Sequence, residues 1–307
     1  MGKNRPSKPV GKILSEMHAE LNEMVYHRKH GRSVLSGIPT GFSDVDFTTS
    51  GLHPGVTMLA SASDELFVGD FALNILLNNF ENQSVAYFLV NSPVIDSDYI
   101  FKRLAMTYAR LSSRHIAEGF VRESDLPNFA KAIDVLMKRE DNLHFYDVDS
   151  DPRSIHDICR NLKDGKGLDF IVIDKLQGFY STGEVIQGES FYWKAQEVRT
   201  ALYDITTEFG LPALVLSELK KKRLREKSIS VQDVKAFGSL ESDALTIILE
   251  KREESNDDDD GSSRDAYSVD AHIRNNYWGP WSSKVSLTYM PPYCKYVDAS
   301  RLSPDDV

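Results

Sequence analysis

Apolar residues recur along this chain with two different periods. Ile13, Leu14, Met17, Leu21, Met24 and Val25 return at the spacing of one helix face, which predicts an amphipathic helix over residues 13–29. From Gly37 onward the pattern changes. Short apolar runs at 56–60, 84–91, 142–147, 168–174 and 212–219 read as strands. Longer periodic stretches at 71–80, 96–112, 124–139, 154–164 and 191–209 read as the helices between them. Three more strand-like runs, 244–251, 265–276 and 283–290, then follow with no helix between them. Alternation followed by strands alone predicts an α/β fold: a mostly parallel sheet flanked by helices, closing in an antiparallel extension.

This division sets the expected organisation. Residues 1–12 are polar and carry Lys and Pro, as a disordered tail does. Residues 13–36 supply a helix and a polar tether, and 37–300 supply one large domain with an acidic hairpin insert at 253–264. The helix either packs on its own domain or docks on a neighbour, and the pattern leaves both open.

Composition narrows the class. The 307 residues are 41% hydrophobic and 27% charged, as in an ordinary globular protein. No apolar run approaches the roughly 20 residues that span a bilayer, and the basic N-terminus has no apolar core behind it, so neither a membrane span nor a secretory signal is expected. Cys159 and Cys294 lie far apart without metal-ligand spacing, which points to reduced thiols in a cytoplasmic protein. The net charge of −10 argues against a surface that clamps nucleic acid throughout. Charge is nonetheless segregated, with a basic run from Lys220 to Lys227 and an acidic run from Glu253 to Asp260.

The stretch between the first strand and the helix after it is where a phosphate-binding loop belongs. Such a loop reads G-x-x-x-x-G-K-[ST], because backbone N–H groups and one lysine wrap a polyphosphate. Here it runs from Ser61 to Asp70, and no lysine occurs between Lys29 and Lys102. Asp64, Glu65 and Asp70 are expected to repel a phosphate, and Phe67 to crowd the turn.

The motifs along the chain resemble the RecA-like C-terminal domain of DnaB-family replicative helicases. "GIPTGFSDVDFTTSGLHPG" is similar to the family's G-I-P-T-G-F-x-D-L-D opening and the G-L-x-P-G that follows. "FALNILLN" resembles the helix after the phosphate loop, "LDFIVIDKLQGF" the Walker B strand, and "LPALVLSELKKKR" the segment V-P-V-I-A-L-S-Q-L-N-R. "VQDVKAFGSLESDALTIILEKR" and "NYWGPWSSKVSLTYM" resemble the closing segments. The order is the family's, from about residue 13 to 299, without its N-terminal primase-binding domain. The resemblance makes residues 13–29 a linker-type helix, which in the family docks on the adjacent subunit.

The resemblance also shows what has changed. The family's G-K-T falls on Phe67, Val68 and Gly69, so the phosphate lysine becomes valine and the metal-binding hydroxyl becomes glycine. The catalytic glutamate falls on Asn91, which cannot act as a base. The trans-acting basic finger K-x-R falls on Asn275, Asn276 and Tyr277. The Walker B aspartate remains as Asp174, either for hydrogen bonding at a strand end or for catalysis, with Lys175 beside it as a conceivable stand-in for the lost lysine. Each missing group is worth orders of magnitude in rate, so hydrolysis is not expected. Nor is any cofactor or metal, ATP and Mg²⁺ belonging only to an alternative reading as a working helicase.

Other features leave alternatives open. The family's DNA-binding loops fall on 181–190 and on the segment holding Lys220, Lys221, Lys222, Arg223, Arg225, Lys227, Lys235 and Gly238. This is either a single-stranded DNA contact or a solvated loop. The acidic run is a hairpin tip or an arm competing with DNA. Tyr277, Trp278 and Trp281 are packing or a partner face. The expectation is a non-catalytic DnaB-like protein of DNA replication, a compact copy of the kind that suits a phage or mobile element. It contacts a replicative helicase or its own copies to load, modulate or inhibit. An ATP-independent single-stranded DNA-binding ring is a further alternative.

Overall fold

The computed structural model describes residues 8–29, 35–63, 66–180, 189–219, 229–234, 240–252 and 266–299. The chain divides into two units, Met1–Ser36 and Gly37–Val307. In the first unit, helix α1 (Val10–Lys29) begins three residues earlier than its apolar spacing indicates. Ile13, Leu14, Met17, Leu21 and Val25 are all exposed along it, while Met24 is partly covered.

Among the described residues of the second unit, nine strands form one sheet in the order β3-β2-β4-β5-β1-β6-β7-β8-β9. The parallel strands are β1 (Gly55–Ser61), β2 (Val85–Val90), β3 (Leu143–Val148), β4 (Phe170–Asp174), β5 (Pro212–Ser217) and β6 (Leu245–Lys251). Strands β7 (Tyr267–Arg274), β8 (Ser282–Met290) and β9 (Lys295–Asp298) continue it antiparallel. β2 and β5 are buried along their whole length, which is why they read as unbroken apolar runs.

Successive side chains of a strand point to opposite faces, and β1 divides accordingly. Val56, Met58 and Ala60 enter one core, with Ile155 and Cys159 of α7 (Pro152–Asp164) and Val198 and Leu202 of α8 (Glu189–Phe209). Leu59 enters the other, with Phe71, Leu73 and Leu76 of α3 (Val68–Leu77) and Ile100 and Leu104 of α4 (Ser97–Ala109). Each face therefore carries its own apolar layer.

The helix expected over 96–112 is α4, which ends three residues early, and a short helix that the pattern did not predict follows it. Arg110 turns left-handed at φ 55° and ends α4, and the Ser112 side chain then caps α5 (Ser113–Glu118) by accepting from the His115 N–H. α6 (Leu126–Lys138) follows. Further elements absent from the sequence pattern include the short helix α2 (Ser43–Thr49) and strand β9. Asp46 of α2 accepts from the Thr40 N–H at 2.7 Å, the Thr40 hydroxyl at 2.8 Å and the Gly41 N–H at 3.0 Å, tying the helix to the segment before it.

Candidate functional site

Ligands of open α/β sheets bind beyond the carboxyl ends of the parallel strands. Here those ends present Ser61 of β1, Asn91 after β2, Asp174 of β4 and Glu218 after β5. The loop after β1 is pinned to β6: the Ala62 N–H donates to Leu249 O at 2.7 Å, and the Lys251 N–H donates to the Ser63 hydroxyl at 3.0 Å. Asp64 and Glu65 lie outside the described residues.

The loop re-enters at Leu66, which is buried, and Phe67 caps α3 without a side-chain hydrogen bond. Val68, where the resemblance expects lysine, packs against the apolar core. Gly69, where it expects a hydroxyl, is buried under the Phe67 ring: a Cβ at 69 would come within 2.7 Å of a ring carbon. The Arg103 guanidinium of α4 lies 4.9 Å from the centre of the same ring. Phe67 does crowd the turn.

Asp70 behaves otherwise than expected. It does not face a phosphate position. Its side chain is fully buried and accepts from Arg103 Nε at 2.5 Å, Arg103 Nη2 at 2.8 Å and the Tyr289 hydroxyl at 2.6 Å. A buried carboxylate survives in a low-dielectric core only when paired in this way. Burial acts to lower the Arg103 pKa, but the hydrogen bond and charge of Asp70 outweigh it and hold the guanidinium above its ordinary value.

Asp174 Oδ2 accepts from the Tyr87 hydroxyl at 2.6 Å, and Tyr87 is buried within β2. Burial raises the Asp174 carboxyl above its ordinary range, opposed by the Tyr87 hydrogen bond and the Lys175 charge. The Lys175 ammonium pairs with Glu218 Oε1 at 2.7 Å. It is engaged across the strand ends rather than directed to the α3 turn. Asn91 has φ 43°, and its N–H donates to Val148 O at 2.8 Å.

The group this fold implies, a Mg²⁺-bound nucleotide, does not fit these residues. The one retained carboxylate already accepts from a phenol, position 69 offers no hydroxyl, and the turn holds no lysine. Among the described residues no three His, Cys, Asp or Glu side chains converge as a metal site. Both thiols are buried, and burial pushes Cys159 and Cys294 up to about 12.

The expected trans-finger positions have structural partners. Asn275 is buried and donates to Ala244 O at 3.3 Å, and Asn276 donates to Thr48 O at 2.8 Å. Gly279 has to be glycine, since a Cβ would meet Thr48 O at 2.2 Å. Tyr277 is exposed and meets Trp281 edge-on at 5.2 Å, while Trp278 stacks on His53 at 3.9 Å. The DNA-loop candidates Lys220 to Lys227, Lys235 and Gly238, residues 181–188 and the acidic run all lie outside the described residues.

The sequence reading passed over Tyr87, Arg103 and Tyr289. Their signal was faint: a hydroxyl inside the apolar run "VAYFLV", and a charge between Ile100 and Leu104 on the buried face of a helix. It also passed over an apolar groove of about 940 Å³ between α4, α5, α6 and β3, lined by Phe101, Met106, Ile116, Phe129, Ile133 and Met137 among others. The groove forms only when three helices and a strand meet, so no single segment announces it.

Comparison with known proteins bears on the fold and the family. Residues 37–298 match the family described as DnaB-like helicase C terminal domain. The replicative DNA helicase DnaB of Geobacillus stearothermophilus is 26% identical over 287 residues, covering 91% of this chain and 60% of the relative. The replicative DNA helicase DnaC of Bacillus subtilis is 26% identical over 286 residues, covering 91% and 60%. This chain thus spans about three fifths of the length of these relatives. A probable plasmid replicative DNA helicase of Chlamydia psittaci is 25% identical over 240 residues, covering 75% and 49%. Among solved structures, an ATPase domain superposes with a TM-score of 0.76 at 20% identity, covering 95% of this chain and 99% of that one. A DnaB-like replicative helicase, solved in a study of its interactions with primase, superposes with a TM-score of 0.72 at 20% identity, covering 97% and 68%. Among the described residues no helix is long and apolar enough to cross a membrane. With more than half its length matched, the chain belongs to the DnaB-like helicase C-terminal domain family.

Proposed function

We propose that this protein is a non-catalytic DnaB-like protein that acts in DNA replication through protein contacts, joining its own copies or a replicative helicase as a loader, modulator or inhibitor. The observation that carries the reading lies at the strand ends. The retained Asp174 accepts from the buried Tyr87 hydroxyl, Asp70 is locked in the core with Arg103 and Tyr289 away from the strand ends, and Lys175 pairs with Glu218 at the surface. Phosphoryl transfer works by positioning and charge stabilisation, which needs such groups turned outward to a ligand.

The contact route is supported by apolar surface. α1 carries an exposed stripe of Ile13, Leu14, Met17, Leu21 and Val25, and the second unit carries the α4–α6 groove. A helix laid in a groove reads as anchors at i, i+3, i+4 and i+7, and Leu14, Met17, Leu21 follow that spacing. In this reading α1 of one molecule seats in the groove of another, of the same chain or of a related helicase.

The test is nucleotide binding and turnover by the purified protein with Mg²⁺, with and without single-stranded DNA, beside capture of a replicative helicase. No turnover together with a stable complex is the expected result. DNA-stimulated hydrolysis lost on Asp174→Ala would instead establish a working helicase, the reading that the retained Asp174 and the relatives' names favour.

A further inference from the structure

We propose that the former nucleotide site is satisfied from within, the Tyr87 hydroxyl taking one of the two oxygens that Asp174 could offer a cation and the Phe67 ring standing where a side chain at position 69 would reach. The proposal rests on the retired-site reading above and specifies what keeps that site closed. Lost motif residues alone would leave an open pocket lacking its lysine. The contacts observed instead fill it.

Tyr87 has one O–H to donate, and it goes to Asp174 Oδ2 at 2.6 Å. Mg²⁺ takes hard oxygen ligands in a near-octahedral shell. To draw Oδ2 of Asp174 onto a cation would strand the Tyr87 hydroxyl inside β2, where the residue is 1% exposed, while Oδ1 keeps its own acceptor capacity. A buried donor left without an acceptor costs its full desolvation. The phenol and the carboxylate therefore hold each other.

Phe67 acts on the other half of the site. Its ring lies over Gly69 and under the Arg103 guanidinium. Arg103 is fixed in turn by two hydrogen bonds to Asp70, which also accepts from Tyr289. The ring of this 41%-exposed residue thus rests against a guanidinium that a buried ion pair holds in place, and a side chain at position 69 has to push the ring outward. A threonine returned to position 69 meets the ring first.

Reinstating the lysine and hydroxyl is therefore insufficient. Binding of a fluorescent ATP analogue with Mg²⁺ is measured for the wild type, V68K/G69T and F67G/V68K/G69T/Y87F. The proposal expects no binding by V68K/G69T in the range where the quadruple variant binds, a difference of at least about tenfold in Kd. Equal affinity of the two variants overturns it, as does a quadruple variant that melts cooperatively yet binds nothing. Turnover by the wild type instead sinks the retired-site reading, so the two failures are distinct. If the multiple variants do not fold, thermal melts decide. Y87F is expected to lower Tm by a few degrees in the wild type and by nothing in a D174A background, and equal losses in both backgrounds overturn the proposal.

Discussion

The most exacting test of the buried polar centre is the removal of Arg103. Arg103→Met keeps the length of the side chain and deletes its charge. The Asp70 carboxylate, 0% exposed, then keeps neutral partners such as the Tyr289 hydroxyl but no cation. Breaking a buried ion pair from one side costs about 3–5 kcal/mol, because the remaining charge is uncompensated. In a domain of this size each kcal/mol moves the melting temperature by about 2–4 °C, so a fall on the order of 10 °C is expected. The lost contact with the Phe67 ring adds about 0.5–1 kcal/mol. The assay is thermal unfolding of the purified protein followed by circular dichroism. A second variant makes it diagnostic. Asp70→Asn in the Arg103→Met background removes the stranded charge and leaves an oxygen for Tyr289, so it should recover most of the loss. An Arg103→Met protein that melts within about 2 °C of wild type, or a double variant no better than the single one, would refute the reasoning.

Three further outcomes are expected. Asp270 accepts from Arg252 and, at 2.9 Å, from Lys284, and although burial acts to raise its carboxyl these two partners hold it below its ordinary value. A depressed carboxyl stabilises the fold above its unfolded pKa and loses that stabilisation as pH falls through the folded one. Asp270→Asn should therefore lower Tm at pH 7 by an amount equivalent to about 1 kcal/mol, with the gap to wild type closing below the carboxylate range in a pH series of melts. Leu14→Asp or Leu21→Asp on α1, and Ile133→Glu in the groove, should each abolish self-association or helicase capture in sedimentation and pull-down measurements while leaving Tm nearly unchanged. Neutralising Lys220, Lys221, Lys222, Arg223 and Arg225 should flatten the salt dependence of any single-stranded DNA binding in anisotropy titrations, and an unaltered slope would assign those charges to solvent.

The sequence by itself determined the architecture and the family. Apolar runs such as "FIVID" and "PALVLS" announce strands buried on both faces, and the order of motifs from Gly37 to Asp298 identifies the domain. It also showed that Val68, Gly69 and Asn91 stand where a lysine, a hydroxyl and a glutamate are expected, since identity at a position is a local property. Helix ends were harder: the break at Arg110 depends on one left-handed residue and a serine cap inside a continuous apolar pattern. What surrounds these positions only the tertiary structure decided. Asp70 read as a repelling charge at the loop, and instead it lies in the core against Arg103 from α4 and Tyr289 from β8, 33 and 219 residues away. Tyr87 and Asp174, 87 residues apart, meet because β2 and β4 pair in parallel register with Leu89 opposite Asp174. Periodicity reports which face of an element is apolar. Whether a polar group on that face finds a partner depends on elements distant in the chain, and it is this pairing that separates a charge turned to solvent from a charge locked in the core.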